Sequence, residues 1–260
     1  MKAAWIGFPR EGDDYWQSLE NYAKLGYRGF EGEGQLSTGN FEENLARIKS
    51  LGLEVLTVST SVEGVEKDPH AVIEQAKRVG AKRASIWWSR AMSGHAETIA
   101  DLEAEVATME KAAAEMAREG IKLCFHNHHT EFMPQYGQPN TLDYMMDNSE
   151  KLCLELDVAW ATYGGVNPVD VLRKYQSRIP AVHVKDYLCP STPEGKQEKH
   201  DFPIFTSLGT GVVDLLAVLK YLHEIDYDWV VYEQDTMRNL STAESMTLSY
   251  LYMKESGLVE

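Results

Sequence analysis

The segment KLCFHNHHTEF, residues 122–132, places three of the chain's eight histidines within four positions, with Glu131 just beyond them. A short β-like run, Leu123, Cys124 and Phe125, leads into it. Successive strand side chains point to opposite faces, so His126 and His128 share one face, Asn127 takes the other, and Glu131 falls in the following turn. Imidazoles at a strand end beside a carboxylate suit metal ligation or acid–base catalysis. Ionisable residues also close other apolar runs. Glu31 and Glu33 follow Arg28-Gly29-Phe30, Glu155 and Asp157 share a face of LCLELDVAW, and His183 and Lys185 share a face of PAVHVKD. Glu233 lies late in DWVVYEQ, flanked by Val231 and Asp235 on the same parity.

Each of these residues also has a plain structural reading. A lone Asp after an apolar run suits an N-cap or a turn, and Glu33 would cap the segment after it. Lys185-Asp186 reads equally as a surface turn. His70, His95, His129, His200 and His223 are left as ordinary hydrogen-bonded or surface histidines. The plain reading weakens when ionisable groups close five separate strands. Buried carboxylates without partners are costly, so several that converge imply a cation. Carboxylates with one or two imidazoles and no thiolate suit Mn²⁺, Mg²⁺, Co²⁺ or Zn²⁺.

Positioning these residues requires a repeating scaffold. Strand-like runs at Ala3–Phe8, Arg28–Glu33, Leu53–Thr60, Arg83–Ser89, Lys122–Phe132, Leu152–Trp160, Pro180–Asp186 and Asp228–Gln234 alternate with helical segments. The helical segments are 13–26, 40–52, 66–80, 98–120, 141–148, 167–178, 214–225 and 241–257, and several end at Gly. A long polar loop spans Leu188–Gly211. Strict alternation predicts a parallel sheet. Eight units in about 250 residues match a (β/α)8 barrel, which collects its chemistry at the carboxyl ends of the strands. A doubly wound sheet is the structural alternative, but Ile6-Gly7-Phe8-Pro9 is no dinucleotide fingerprint. Residues 1–260 read as one domain.

The bulk composition narrows the function classes. With 25 basic and 40 acidic residues the formal charge is −15, which argues against a nucleic-acid partner, since phosphate binding needs clustered Lys and Arg. No window approaches the roughly 18 apolar residues of a membrane span. The apolar N-terminal run is too short for a signal peptide, so the expectation is a cytoplasmic protein. Cys124, Cys153 and Cys189 form no CxxC pair and read as small core thiols.

Five segments carry a resemblance to a known family. They are FHNHHTEF (125–132), LELDVAWATYGGVNPVDVLRKY (154–175), VHVKD (182–186), LGTGVVDLLAVLKYL (208–222) and YDWVVYEQD (227–235). In order and spacing the chain resembles the sugar phosphate isomerase/epimerase family of xylose isomerase-like TIM barrels, in an HNHxxEF variety. The resemblance implies one divalent metal ion held by residues of strands five to eight. It puts Asp157, His183 and Glu233 in three ligand places. Many relatives supply a Glu from strand five where this chain has His126. Glu131, reaching back from the turn, is the expected substitute, and His126 is the nitrogen-donor alternative. Where related enzymes carry Asp-x-x-His on strand six, this chain has Trp160, an apolar wall for a sugar ring. That departure and the net charge count against a nuclease acting on abasic sites.

The implied chemistry is isomerisation or epimerisation of a sugar or keto-sugar through an enediolate. The metal polarises a carbonyl and acidifies the neighbouring C–H. Glu233 on one side and Glu131, His126 or His128 on the other then pass the proton, and Lys185 stabilises the enediolate oxygen. Trp160 and Glu33 are the candidate substrate contacts. The same enediolate allows a lyase reading, as a keto-inositol dehydratase or in the cleavage of a 3-keto-glycoside. A non-catalytic sugar-binding barrel is the remaining class. The partner expected is a small carbohydrate, with no nucleic acid and no membrane, and self-association into a homo-oligomer is compatible with the sequence.

Overall fold

The computed structural model describes residues 1–6, 14–90, 97–188, 203–237 and 240–260. Eight parallel strands close into a barrel. They are β1 (Lys2–Ile6), β2 (Gly29–Glu31), β3 (Glu54–Thr60), β4 (Arg83–Ile86), β5 (Lys122–His126), β6 (Cys153–Asp157), β7 (Ala181–Val184) and β10 (Trp229–Tyr232). Their order around the barrel is β1-β10-β7-β6-β5-β4-β3-β2. The two strands between β7 and β10, β8 (Asp186–Leu188) and β9 (Ile204–Thr206), form a separate antiparallel pair beside the mouth. The alternation in the sequence therefore folds as the barrel and not as an open doubly wound sheet.

Capping fixes where the helices begin. Asn40, Asp68, Thr98, Asn140, Asn167, Asp214 and Ser241 each accept backbone N–H bonds from the first turn that follows. Outward strand residues such as Leu154, Leu156, Val182 and Val184 are fully buried under the helices. The region expected as one helix over 66–80 is two, Val62–Lys67 and Pro69–Val79, because Asp68-Pro69 stops one and caps the next.

The sixth strand is shorter than the sequence suggested. Leu152–Trp160 was expected as strand throughout, but β6 ends at Asp157 and Val158–Tyr163 form a helix. Asp157 caps that helix, its Oδ1 accepting from the Trp160 N–H at 2.8 Å. The expected strand end at Phe8, most of the polar loop, Cys189, His95 and His200 lie outside the described residues. Cys124 and Cys153 are buried.

Lys185-Asp186 is not a surface turn, since both residues are buried. The Asp186 carboxylate accepts the backbone N–H groups of Tyr187, Gly209, Gly211 and Val213 at 2.9–3.1 Å. It therefore anchors residues 207–213 to the mouth of the barrel.

Candidate metal centre

Inward-facing residues of seven strands meet inside the barrel. At the lower level Arg83 donates to Glu31 Oε1 at 2.8 Å and to Thr57 at 3.2 Å, and Thr57 also bonds Glu31. Ser85 and the Trp87 indole N–H donate to the two oxygens of Glu155, at 2.8 and 3.0 Å. Above them, the His183 ring lies between two carboxylates: Nε2 is 2.7 Å from Glu31 Oε2, and Nδ1 is 2.8 Å from Glu233 Oε2. The Lys185 ammonium faces Asp235 at 2.7 Å and Asp157 and Glu233 at 3.4 Å each. The His126 ring completes the group, with Nδ1 3.4 Å from Glu155 and Nε2 4.0 Å from Asp157 Oδ2.

His126, Asp157, His183 and Glu233 each offer one ligand atom, and the four atoms lie within 4.8 Å of one another. They come from the carboxyl ends of β5, β6, β7 and β10. Glu31, Glu155 and His183 form a second such group beneath. Glu131, the expected strand-five ligand, is in neither group. Its carboxylate accepts the His128 N–H at 2.7 Å and the Thr130 hydroxyl at 3.1 Å. Its place in the 3-10 turn Thr130–Phe132 sets it against the backbone of the histidine segment, and His126 is the residue of this segment in the four-atom group. Glu33, expected at the substrate, accepts the Ser59 N–H at 2.9 Å and does not line the cavity described below.

The electrostatics follow from burial and crowding. Burial pushes the Glu31 carboxyl up, but His183 and Arg83 outweigh it and hold it at about 2. Burial works against charge on Lys185 and His183, yet the surrounding carboxylates raise both. Burial raises Glu233 too, but Lys185 and His183 reverse this and hold it well below the carboxylate range. Burial lifts Asp157 to about 7 against the pull of Lys185, and burial with the neighbouring Glu31 charge lifts Glu155 to about 7. Burial and His183 depress His126 to about 3, and burial and His126 depress His128 to about 2.

These residues fit a divalent cation. Asp157 Oδ2 and His126 Nδ1 are buried without a hydrogen-bond partner. Among the described residues, Glu31, Glu155, Asp157, Glu233 and Asp235 face only Arg83 and Lys185 as permanent cations. Burial first, and neighbouring negative charge second, raise Asp157 and Glu155, and a bound dication would offset both by displacing protons. Two imidazoles with two carboxylates and no thiolate suit Mn²⁺, Co²⁺ or Zn²⁺ better than an all-oxygen set would.

A cavity of about 760 Å³ opens above this floor. His126, His183, Glu233 and Asp235 line its base, and Trp88, His128, Trp160 and Phe205 line its wall. Of the histidines set aside, His129 stacks on Trp160 with ring centroids 5.2 Å apart, and His70 pairs with Glu115 at the surface. Glu31, Glu155 and Asp235 stand out in the sequence only as acidic residues at strand ends, with nothing there to say what each one meets. Trp88 carried no sequence signal beyond its place at the end of a strand.

Comparison with known proteins agrees with the fold. The family model for the xylose isomerase-like TIM barrel matches residues 19–251. An inosose dehydratase of Geobacillus kaustophilus is 26% identical over 89% of this chain and 85% of its own length. One from Clostridium beijerinckii is 31% identical, over 45% of this chain and 41% of its own length. Among solved structures, a sugar phosphate isomerase/epimerase of Parabacteroides distasonis superposes with a TM-score of 0.76 at 15% identity, covering 98% of this chain and 100% of that one. A 3-keto-D-glucoside 4-epimerase of E. coli does so with a TM-score of 0.70 at 18% identity, covering 98% and 99%. The relatives are sugar-modifying enzymes. No helix among the described residues is long and apolar enough to cross a membrane. The chain belongs to the xylose isomerase-like TIM-barrel family.

Proposed function

We propose that the protein is a divalent-metal-dependent isomerase or epimerase of a small keto-sugar or keto-polyol, working by removal of the proton next to the carbonyl. The observation that carries this reading is the convergence of His126, Asp157, His183 and Glu233 on one point, with His126, His183 and Glu233 at the floor of the cavity. Those four residues would hold the ion. When bound, it supplies Lewis-acid polarisation of a substrate carbonyl.

The chain's own residues divide the remaining work. Glu233, kept ionised by Lys185 and His183, is suited to ligation and poorly suited to exchanging a proton. His128 is the better base. Its ring lies between Trp88 and Trp160, and Nδ1 is buried without a hydrogen-bond partner. Burial keeps this imidazole neutral, so its free ring nitrogen faces the cavity as a proton acceptor, and negative charge developing beside it on an enediolate raises its proton affinity. Lys185, fully buried and cationic, stabilises that developing charge. Trp160 and Phe205 exclude water from the same region. Glu131 aims His128 by holding its backbone N–H.

A lyase reading shares every step up to the enediolate and differs only in whether a β-leaving group departs. The curated relatives named inosose dehydratase favour it. The discriminating experiment incubates the Mn²⁺-loaded protein in D₂O with ketoses, 3-keto-glucosides and keto-inositols. Isomerisation or epimerisation places deuterium in recovered substrate and product. Elimination instead gives an unsaturated ketone that absorbs in the ultraviolet. Neither signal across the panel would overturn both readings.

A further inference from the structure

The size and lining of the cavity bear on which substrates it takes, granted the reading above. A hexose has about a dozen heavy atoms, whereas about 760 Å³ lies high in the range of roughly 300–1,000 Å³ typical of pockets for drug-sized ligands. The charged groups are confined to the floor, and most of the remaining lining is aromatic or apolar. From the floor an aromatic run leads outward. Lys185 Nζ lies 4.4 Å from the Phe205 ring centroid, and Phe205 meets Trp160 edge-on at 5.1 Å. Trp160 meets His128 at 5.3 Å, and His128 stacks on Trp88 at 4.8 Å with the planes 23° apart.

Trp88 ends this run in solvent. It is 59% exposed, the most exposed large apolar side chain among the described residues. An indole stacked on one imidazole and left open by the described residues at a cavity rim is a stacking platform for a ligand ring. A second sugar ring would bring hydroxyls that need partners, and this wall offers few. A flat apolar ring needs none.

We infer that the cavity takes a two-part substrate, a keto-sugar ring at the carboxylate–imidazole floor joined to an aromatic aglycone that stacks on Trp88. Trp88 is then a specificity-determining residue for the aglycone. The site thereby favours aryl ketoglycosides over free ketoses.

The test measures binding by calorimetry on Mn²⁺-loaded protein, with phenyl β-D-glucopyranoside, methyl β-D-glucopyranoside and cellobiose as unreactive probes. The phenyl compound is expected to bind about ten-fold tighter than either of the others, the gain of one stacked ring. Trp88→Ala brings the phenyl-to-methyl ratio towards one, and Trp88→Phe keeps most of it. Absence of saturable phenyl glucoside binding, equal affinities, a preference for cellobiose, or a ratio that survives Trp88→Ala would each overturn the inference. Deuterium exchange on the corresponding 3-keto-glucosides separates the two readings. A phenyl preference without exchange or elimination sinks the proposed reaction and leaves the subsite, while exchange without the preference does the reverse.

Discussion

His183 on β7 directs its Nε2 at Glu31 Oε2 on β2, 2.7 Å away, although the two strands are not neighbours in the barrel. Glu31 is itself anchored by Arg83 at 2.8 Å. The contact fixes the ring orientation of His183 and leaves Nδ1 facing Glu233 and the rest of the cluster. Carboxylates behind ligating histidines commonly raise metal affinity about 10–100-fold. Glu31→Gln should therefore weaken Mn²⁺ binding by about that factor, read by competition with a chromogenic chelator. Unchanged affinity would show that Glu31 serves only the barrel interior.

His126 and Glu131 compete for the strand-five ligand place, and the geometry favours His126. His126→Ala should strip metal from the purified protein, as should Asp157→Asn. Glu131→Gln should retain it, because that carboxylate braces residues 128–130. Elemental analysis of the three variants decides the matter. A metal-free Glu131→Gln with a metal-loaded His126→Ala would reverse the assignment.

If His128 is the base, His128→Asn should lower kcat by about 10²–10⁴-fold while metal content stays the same. Deuterium wash-in should fall in parallel. A variant that loses product formation but keeps full exchange would place the proton transfer elsewhere.

Glu105 gives a pH signature remote from the four-residue cluster. It is buried on the helix Ile99–Arg118, with Oε1 accepting the Arg90 N–H and Oε2 unpartnered. Burial, only partly offset by that N–H, raises its pKa from 4.5 to about 7. The folded state therefore binds a proton that the unfolded chain has released. Its stabilising effect is complete below about 4.5 and is lost as pH rises through about 7. Glu105→Gln should leave stability near pH 4.5 almost unchanged and raise it above pH 7 by on the order of 2–3 kcal/mol. Denaturant midpoints at pH 5 and pH 8 measure this. An equal shift at both values would show that Glu105 does not titrate in that range.

Asp186 serves four backbone N–H groups with one carboxylate. Asp186→Ala leaves them without a partner next to Lys185 and should cost on the order of 3 kcal/mol. Gly211→Ala should act the same way, because a Cβ there would stand 2.2 Å from Asp186 Oδ1. Thermal melts check both, and a fall of less than a degree would mean that solvent replaces the anchor.

What the sequence determined by itself was the scaffold and its chemically active end. Periodicity and cap residues are local properties, so eight alternating units could be read directly, with errors only at boundaries such as Asp68-Pro69 and Asp157. Strand parity likewise placed Asp157, His183 and Glu233 late on apolar runs. Tertiary structure decided which of these side chains meet. Glu31 and Arg83 are 52 positions apart, and Glu31 and His183 are 152 apart, so no local pattern reports their contacts. It also separates His126 from Glu131, five residues apart in one segment. A strand end points one of them into the barrel, and a 3-10 turn bends the other back onto its own backbone. Whether a carboxylate ligates, braces or caps depends on what lies opposite it, and closure of the barrel alone fixes that.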